Sequence, residues 1–190
     1  NQSIIKIMTK KSLLSLMFTF VGITSLFAQE SMFSQGDKVA NLSIGLGSSV
    51  YAGLGGGIPP IGASFEYGVK DNLFNEKSHL GIGGYAGFTS ASQDIMGIKI
   101  AYSSIIIGAR GVVHYDLVDN LDTYGGVLLG YNIASSKVTG GTLPIAPASY
   151  GGLVYAGFIG APYYFTPKLA AMAELGYGIA LLNIGVSLKL

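Results

Sequence analysis

The chain has no cysteine and no tryptophan, and only 11% of its 190 residues are charged. Without cysteine there is no disulfide, no thiolate metal site and no lipid-modified N-terminal cysteine. Basic and acidic residues nearly balance, at 11 against 10, and form no basic surface of the kind a nucleic-acid partner would need. Long apolar runs are missing too. Mean hydropathy is +0.50, a value that usually signals membrane helices, yet after residue 28 no stretch of about 18 apolar residues occurs. What is abundant is glycine, 29 residues, roughly twice its usual share, and each costs about 1 kcal/mol relative to alanine inside a helix. Hydrophobicity that is neither helical nor continuous must be hidden in alternation, as it is in membrane-spanning strands.

The N-terminus reads as an export signal. Lys10 and Lys11 precede an apolar stretch over 13–27, and Phe27-Ala28-Gln29 offers a cut after Ala28. The expected organisation is a cleavable signal peptide over 1–28, with Met8 a candidate start, a short periplasmic segment over 29–37, and one domain over 38–190. Loss of Lys6, Lys10 and Lys11 with the signal turns the net charge from +1 to −2.

Period-two alternation predicts eight strands, over 38–47, 61–69, 79–88, 100–115, 121–132, 150–165, 169–177 and 182–190. The second is the cleanest, with Ile61, Ala63, Phe65, Tyr67 and Val69 alternating against Gly62, Ser64, Glu66 and Gly68. The last alternates Leu182, Ile184, Val186, Leu188 and Leu190 with Asn183, Gly185, Ser187 and Lys189, and the sequence stops there. Connections at 48–60, 89–99, 133–149 and 178–181 fall on one side, and those at 70–78, 116–120 and 166–168 on the other. Mostly long loops opposite mostly short turns, with an even strand number, is the pattern of a membrane barrel. The fold class is therefore all-β: an eight-stranded antiparallel up-and-down transmembrane β-barrel.

The side opposite the apolar stripe decides which barrel. A lipocalin would carry its apolar face inside. Here that opposite side holds Gly, Ser, Asn and isolated charges, namely Glu66, Arg110, Glu174 and Lys189. Arg or Lys facing lipid at midplane costs about 2–4 kcal/mol, so these four are expected inside, as a structural charge cluster in a lumen filled by side chains. Phe65, Tyr67, Phe88, Tyr115, Tyr131, Tyr163, Phe165 and Tyr177 suit interfacial girdles. Pro162 lacks a ladder donor and predicts a bulge or strand end.

Gly108-Ala-Arg110 with His114-Tyr115, Tyr124-Gly-Gly126 with Gly130-Tyr131-Asn132, and the stretches from Tyr163 to Ala171 and from Ala173 to Gly178 together carry a resemblance. With the closing strand, they resemble the small outer-membrane β-barrel family of OmpA/OmpX-like proteins of Gram-negative bacteria, over essentially the whole exported chain. The resemblance implies the outer membrane as location, outer-membrane lipid as surroundings and a single-chain barrel. It also implies that Asn183, Gly185, Leu188 and Leu190 form the C-terminal signal read by the barrel-assembly machinery during insertion. The family usually ends in an aromatic residue, from which Leu190 departs.

Little in the sequence carries chemistry. Gly81-Ile-Gly-Gly-Tyr-Ala86 fits a dinucleotide fingerprint in letters only, because the pattern runs on as strand where a helix would have to begin. His79 and His114 are the two histidines. Ser78 and Asp116 are their nearest sequence partners, but the histidines fall at strand ends on the periplasmic side and read as rim or lumen groups. Asp116, Asp119 and Asp122 read as a solvated turn, since Leu, Val and Leu lie among them where a calcium loop would need oxygen ligands. No catalytic, cofactor-binding or metal-binding residue is assigned, and no cofactor is expected. The expected function is non-enzymatic, in envelope integrity or surface interaction and adhesion through loops 48–60 and 133–149. A lipid A-modifying enzyme and a narrow pore are the alternatives.

Overall fold

The computed structural model describes residues 31–190 apart from 49, 52–53, 55, 96, 140–146 and 178; the signal-peptide expectation over 1–28 lies outside the described residues. Eight strands follow in chain order: β1 Lys38–Ser48, β2 Ile61–Lys70, β3 Ser78–Ile95, β4 Ile98–Val118, β5 Leu121–Thr139, β6 Ala148–Tyr164, β7 Leu169–Tyr177 and β8 Ala180–Lys189. Each pairs antiparallel with its sequence neighbour, and β8 pairs with β1 to close the barrel. Ladder partners lead from Lys38, the first residue of β1, through Tyr67, Ile82, Gly111, Val127 and Gly157 to Tyr177, the last residue of β7. A path across the strands that climbs from one mouth to the other means strong strand tilt, as closure of a small barrel requires.

The alternation has a simple cause. Leu42, Ile82, Ile107, Leu129, Ile159, Leu175 and Ile184 point outward and are exposed, which in lipid is their preferred surrounding, while the intervening residues fill the lumen. Small inward residues leave room for large ones to cross. A methyl group at Gly62 or at Gly87 would overlap the ring of Tyr85, and one at Gly160 the ring of Tyr124. In the upper lumen Ile106, Leu128, Ala156, Phe158 and Ile179 form an apolar plug, with Val50 from the first loop packed against it.

Four differences from the sequence reading have physical reasons. Among the described residues of 89–99 and 133–149, expected as loops, much is strand instead: β3 runs to Ile95 and β4 starts at Ile98, with Asp94 opposite Lys99, while β5 reaches Thr139 and β6 starts at Ala148. Beyond the membrane a strand needs no apolar stripe, so its pairing leaves no alternation to read. The 116–120 turn shrinks likewise, because the inward parity of Arg110 and His114 continues to Asp116. Pro162 neither ends nor bulges β6; the β5–β6 ladder omits the pairs at 161 and 162, so the missing donor falls where no bond is made. Finally, residues 31–37 are a seated element. Phe33 is 0% exposed, the Gly36 N–H donates to the Gly68 carbonyl and the Gly68 N–H to the Asp37 carbonyl, both at 2.9 Å.

Candidate functional site

Three polar groupings occupy the half of the lumen nearer the termini. In the middle, Arg110 on β4 meets carboxylates from both sides: Nη2 lies 2.8 Å from Glu174 Oε2 on β7 and 3.4 Å from Glu66 Oε1 on β2. The Tyr124 hydroxyl donates to Glu174 Oε2 at 2.9 Å, and the Asn183 amide to its other oxygen at 3.4 Å. Asn41 donates to Glu66 Oε1 at 3.3 Å. The guanidinium carbon stands 4.0 Å from the centroid of the Phe158 ring, a favourable placement for a desolvated cation. A cavity of about 20 Å³ lined by Tyr85, Arg110, Phe158, Glu174 and Asn183, among others, is room for about one water. At this level the lumen is packed.

Below lies His114, with Nδ1 2.7 Å from Asp122 Oδ2 and Nε2 3.2 Å from Glu66 Oε2. Nearer the mouth, His79 has Nδ1 2.8 Å from Asp71 Oδ1 and Nε2 3.2 Å from Asp116 Oδ2. Each ring nitrogen of both histidines therefore faces a carboxylate oxygen within hydrogen-bond distance, and neither ring presents a free nitrogen to a substrate. Ser31 Oγ also lies 3.2 Å from His79 Nε2, which in outline gives a Ser–His–Asp order with Asp71. The serine hydroxyl, however, donates to the Phe33 carbonyl at 2.7 Å, and Asp116 occupies the nitrogen that would have to accept its proton. The third grouping joins Lys189 Nζ to Asp37 Oδ2 at 2.7 Å and to the Met32 carbonyl at 3.3 Å.

Of the four charges grouped from the sequence, the structure brings Glu66, Arg110 and Glu174 together and places Lys189 elsewhere. As the last residue of β8, Lys189 sits at the mouth, where Asp37 is within reach and Arg110 is not. The aspartates are a second correction. Asp116 and Asp122 are ladder partners on β4 and β5 that both face the lumen, 5% and 1% exposed, while Asp119 alone stays at the turn surface. Asp116 pairs with His79, not with its sequence neighbour His114. Ser78 is buried but on the face opposite His79, as the ladder partner of Tyr115, and its hydroxyl accepts from the Phe74 and Asn75 N–H groups to shape the 71–77 turn. Asp71 and Phe33, outside the strands, had no marker in the sequence, and nothing but parity marked Asp122 and Tyr124 as lumen residues. No group of His, Cys, Asp and Glu among the described residues is arranged to hold a metal.

At the opposite mouth the first loop folds inward. The hydroxyls of Tyr51 and Ser104 are 2.7 Å apart, and burial, with the Tyr150 and Tyr102 phenols nearby, raises the Tyr51 hydroxyl above its usual pKa of 10.0. The same loop covers the free side of β3: the Ser90 N–H donates to the Ile58 carbonyl at 3.0 Å, the Ile58 N–H donates to Ser90 Oγ at 2.9 Å, and the Ser92 hydroxyl donates to the Gly56 carbonyl at 2.5 Å. On the far side of this sheet, β6 runs on alone. It meets β7 only from Gly157 onward, so that among the described residues no strand lies beside Ala148–Ala156 on the β7 side.

The closing strand has its own geometry. Asn183 points into the lumen toward Glu174, and a methyl group at Gly185 would run into the backbone of β1 at Leu42. Leu188 and Leu190 face outward and are exposed, and the Leu190 N–H donates to the Lys38 carbonyl at 2.9 Å.

No protein-family model matches the chain, and no curated protein matches it. Among solved structures it is similar to the N-terminal β-barrel domain of Pseudomonas aeruginosa OprF, at 12% identity over 83% of this chain and 100% of that one, with a TM-score of 0.53. It is also similar to Ail, the attachment invasion locus protein of Yersinia pestis, whose structure contains the heparin analogue sucrose octasulfate. There the identity is 13% over 80% of this chain and 93% of that one, and the TM-score is 0.48. The likeness to the OprF domain speaks for fold. The chain has the fold of the small eight-stranded outer-membrane barrels of the OmpA/OmpX-like type.

Proposed function

We propose that this is a non-enzymatic outer-membrane barrel that acts at the cell surface by offering a strand edge to extended polypeptide. The observation that carries the reading is the bare side of β6 over Ala148–Ala156, at the end of the barrel away from the chain termini. In an antiparallel ladder every second residue turns both its N–H and its C=O to one side. An edge left without a partner is a template for a further strand, and an extended peptide can supply one, with backbone bonds giving affinity and alternate side chains giving selectivity. The edge sequence ASYGGLVYA is uncharged and free of proline, so nothing in it repels an incoming strand. The first loop already closes the other edge of the sheet, which leaves this one as the docking side. Residence in the outer membrane of a Gram-negative bacterium is supported by the fold likeness. The doubly held histidines speak against lipid chemistry, and the rings crossing the lumen speak against a pore.

The test is adhesion to protein-coated surfaces by cells lacking the protein, complemented with wild type, Gly151→Pro or Gly152→Pro. Of two adjacent residues one N–H points to β5 and the other away from it, so one proline removes an outward donor while leaving the β5 ladder intact. Wild type should restore adhesion and that variant should not, while both remain heat-modifiable on gels. Adhesion unchanged by the deletion, or restored equally by both prolines, would refute the reading.

A further inference from the structure

We infer that Ser31–Asp37 is a separable cork: a strap that seals the termini-side mouth of the lumen over a seat that is complete without it. The seal is specific. The Phe33 ring stacks on the His114 imidazole, with centroids 3.8 Å apart and planes 13° from parallel. Gly81 leaves the space for that ring, since a methyl group there would come within 3.0 Å of Phe33 Cζ. Gly68 leaves the space for the strap backbone, because a methyl group would overlap the Ser34 carbonyl. Around the rim, Asp71 Oδ1 accepts from the Gln35 N–H at 2.7 Å, and Lys189 holds Asp37 and the Met32 carbonyl. Phe33 is among the largest side chains buried completely, yet it belongs to no strand.

Separability follows from what the seat keeps when the strap is lifted. His114 retains Asp122 and Glu66, and His79 retains Asp71 and Asp116. The β1–β8 ladder begins at Val39, beyond the strap, so closure of the wall does not use it. Of the charged side chains only Lys189 and Asp37 lose their ion partner, and both are partly exposed at the rim; the other bonds given up, by the Gly68 backbone, Asp71 and His79, lie at the mouth, where water can replace them. What the strap supplies is exclusion of water from Phe33's place, against His114 and beside Gly81, whose ladder partner is Val112. Lifting it opens a blind, water-filled recess from the termini side while the apolar plug of Ile106, Leu128 and Phe158 still closes the other end. The strap is thus a two-position element on a fixed frame, drawn from the weakly held end of the molecule's stability range.

The absence of cysteine gives a clean assay. Val112→Cys places a thiol at a fully buried lumen position, the ladder partner of Gly81. The reconstituted barrel carrying it is exposed to a small charged thiol reagent, with and without Phe33→Gly, and folding is checked by heat-modifiable mobility. The expected result is slow labelling with Phe33 present and labelling at least about tenfold faster with Phe33→Gly, in a barrel that remains folded. Equal slow labelling would show that the lumen is closed without the strap; equal fast labelling would show that the strap does not seal it. Loss of the folded barrel in the Phe33→Gly protein overturns the inference as well, because the strap would then be part of the frame. A second variant, Gly68→Val, blocks the strap backbone without touching Phe33 and must speed labelling in the same way.

Discussion

Replacing Arg110 by methionine leaves Glu66 and Glu174 without the cation they share. Both carboxylates are almost fully buried, at 1% and 6% exposure, so neither regains water cheaply. Breaking a buried pair by removing one member costs about 3–5 kcal/mol, most of it the stranded opposite charge. Arg110→Met should fall in that range, since loss of the Phe158 contact adds to the cost while Glu66 keeps His114 and Asn41, and Glu174 keeps Tyr124 and Asn183. Glu174→Gln alone removes a charge but leaves an oxygen for the Tyr124 hydroxyl, and Arg110 still has Glu66 at 3.4 Å; its cost should be nearer 1.5–3 kcal/mol, roughly that of a hydrogen bond to a charged group. The double variant has lost the stranded charge on β7, so its cost should be less than the sum by about 2 kcal/mol, within the range of coupled neighbours. Equilibrium unfolding by urea in detergent, followed by the fraction with folded electrophoretic mobility, gives all three values. If the double variant equals the sum of the singles to within about 0.5 kcal/mol, the two groups are not coupled and the cluster does not hold these strands together.

Two further outcomes follow from named contacts. Gly160→Ala puts a methyl group into the Tyr124 ring; overpacking of this kind costs about 1–3 kcal/mol, and Tyr124→Leu in the same chain should relieve part of it, as read by the same unfolding curve. Asp71, in the turn after β2, is affected first by burial at the rim, which pushes its pKa up, but hydrogen bonds from His79 and the Gln35 backbone outweigh this and hold it below the ordinary 3.8. A depressed carboxylate contributes its stabilisation above the unfolded value and loses it as pH falls through the folded one. Labelling of Val112→Cys, taken relative to an exposed cysteine at the same pH so that the falling thiolate fraction cancels, should therefore accelerate as pH drops below about 4, with His79 and Asp116 the titratable neighbours, and Asp71→Asn should abolish that dependence; a relative rate flat with pH in both would show that Asp71 does not hold the strap.

The fold was legible because a lipid-facing wall must be apolar on every outward position, and that demand prints a strict period onto the sequence. Leu182 to Leu190 shows it without a break. Where the demand lapses, so does the signal: Thr89–Ile95 and Ile133–Thr139 are strand in fact but carry no stripe, because above the bilayer only the ladder matters. The lumen was half legible. Parity placed Glu66, Arg110 and Glu174 inside, but parity says nothing about height, and height is what separates Lys189 from Arg110 and joins it to Asp37. The aspartates at 116 and 122 looked like turn residues because acidic clusters usually are; following the inward parity of Arg110 and His114 two residues further would have found Asp116. Phe33 left no trace, since a single ring seated from an irregular segment has no period.

Why a barrel this small should bury so many charges has a physical answer in its surroundings. The outward leucines and isoleucines exchange little on folding within a bilayer, because lipid resembles their buried state, so they say which face is out but hold no strand in place. Specificity of register has to come from inside. Glu66 on β2, Arg110 and His114 on β4, Asp122 on β5 and Glu174 on β7 connect strands that are not all ladder neighbours, so the cluster spans the barrel where the ladder cannot. A slip of one residue in any of these strands would turn its whole inward set outward. Arg110 would then face lipid at a cost of about 2–4 kcal/mol near the midplane, besides leaving two carboxylates without a cation. The polar centre therefore excludes the wrong registers more strongly than it stabilises the right one.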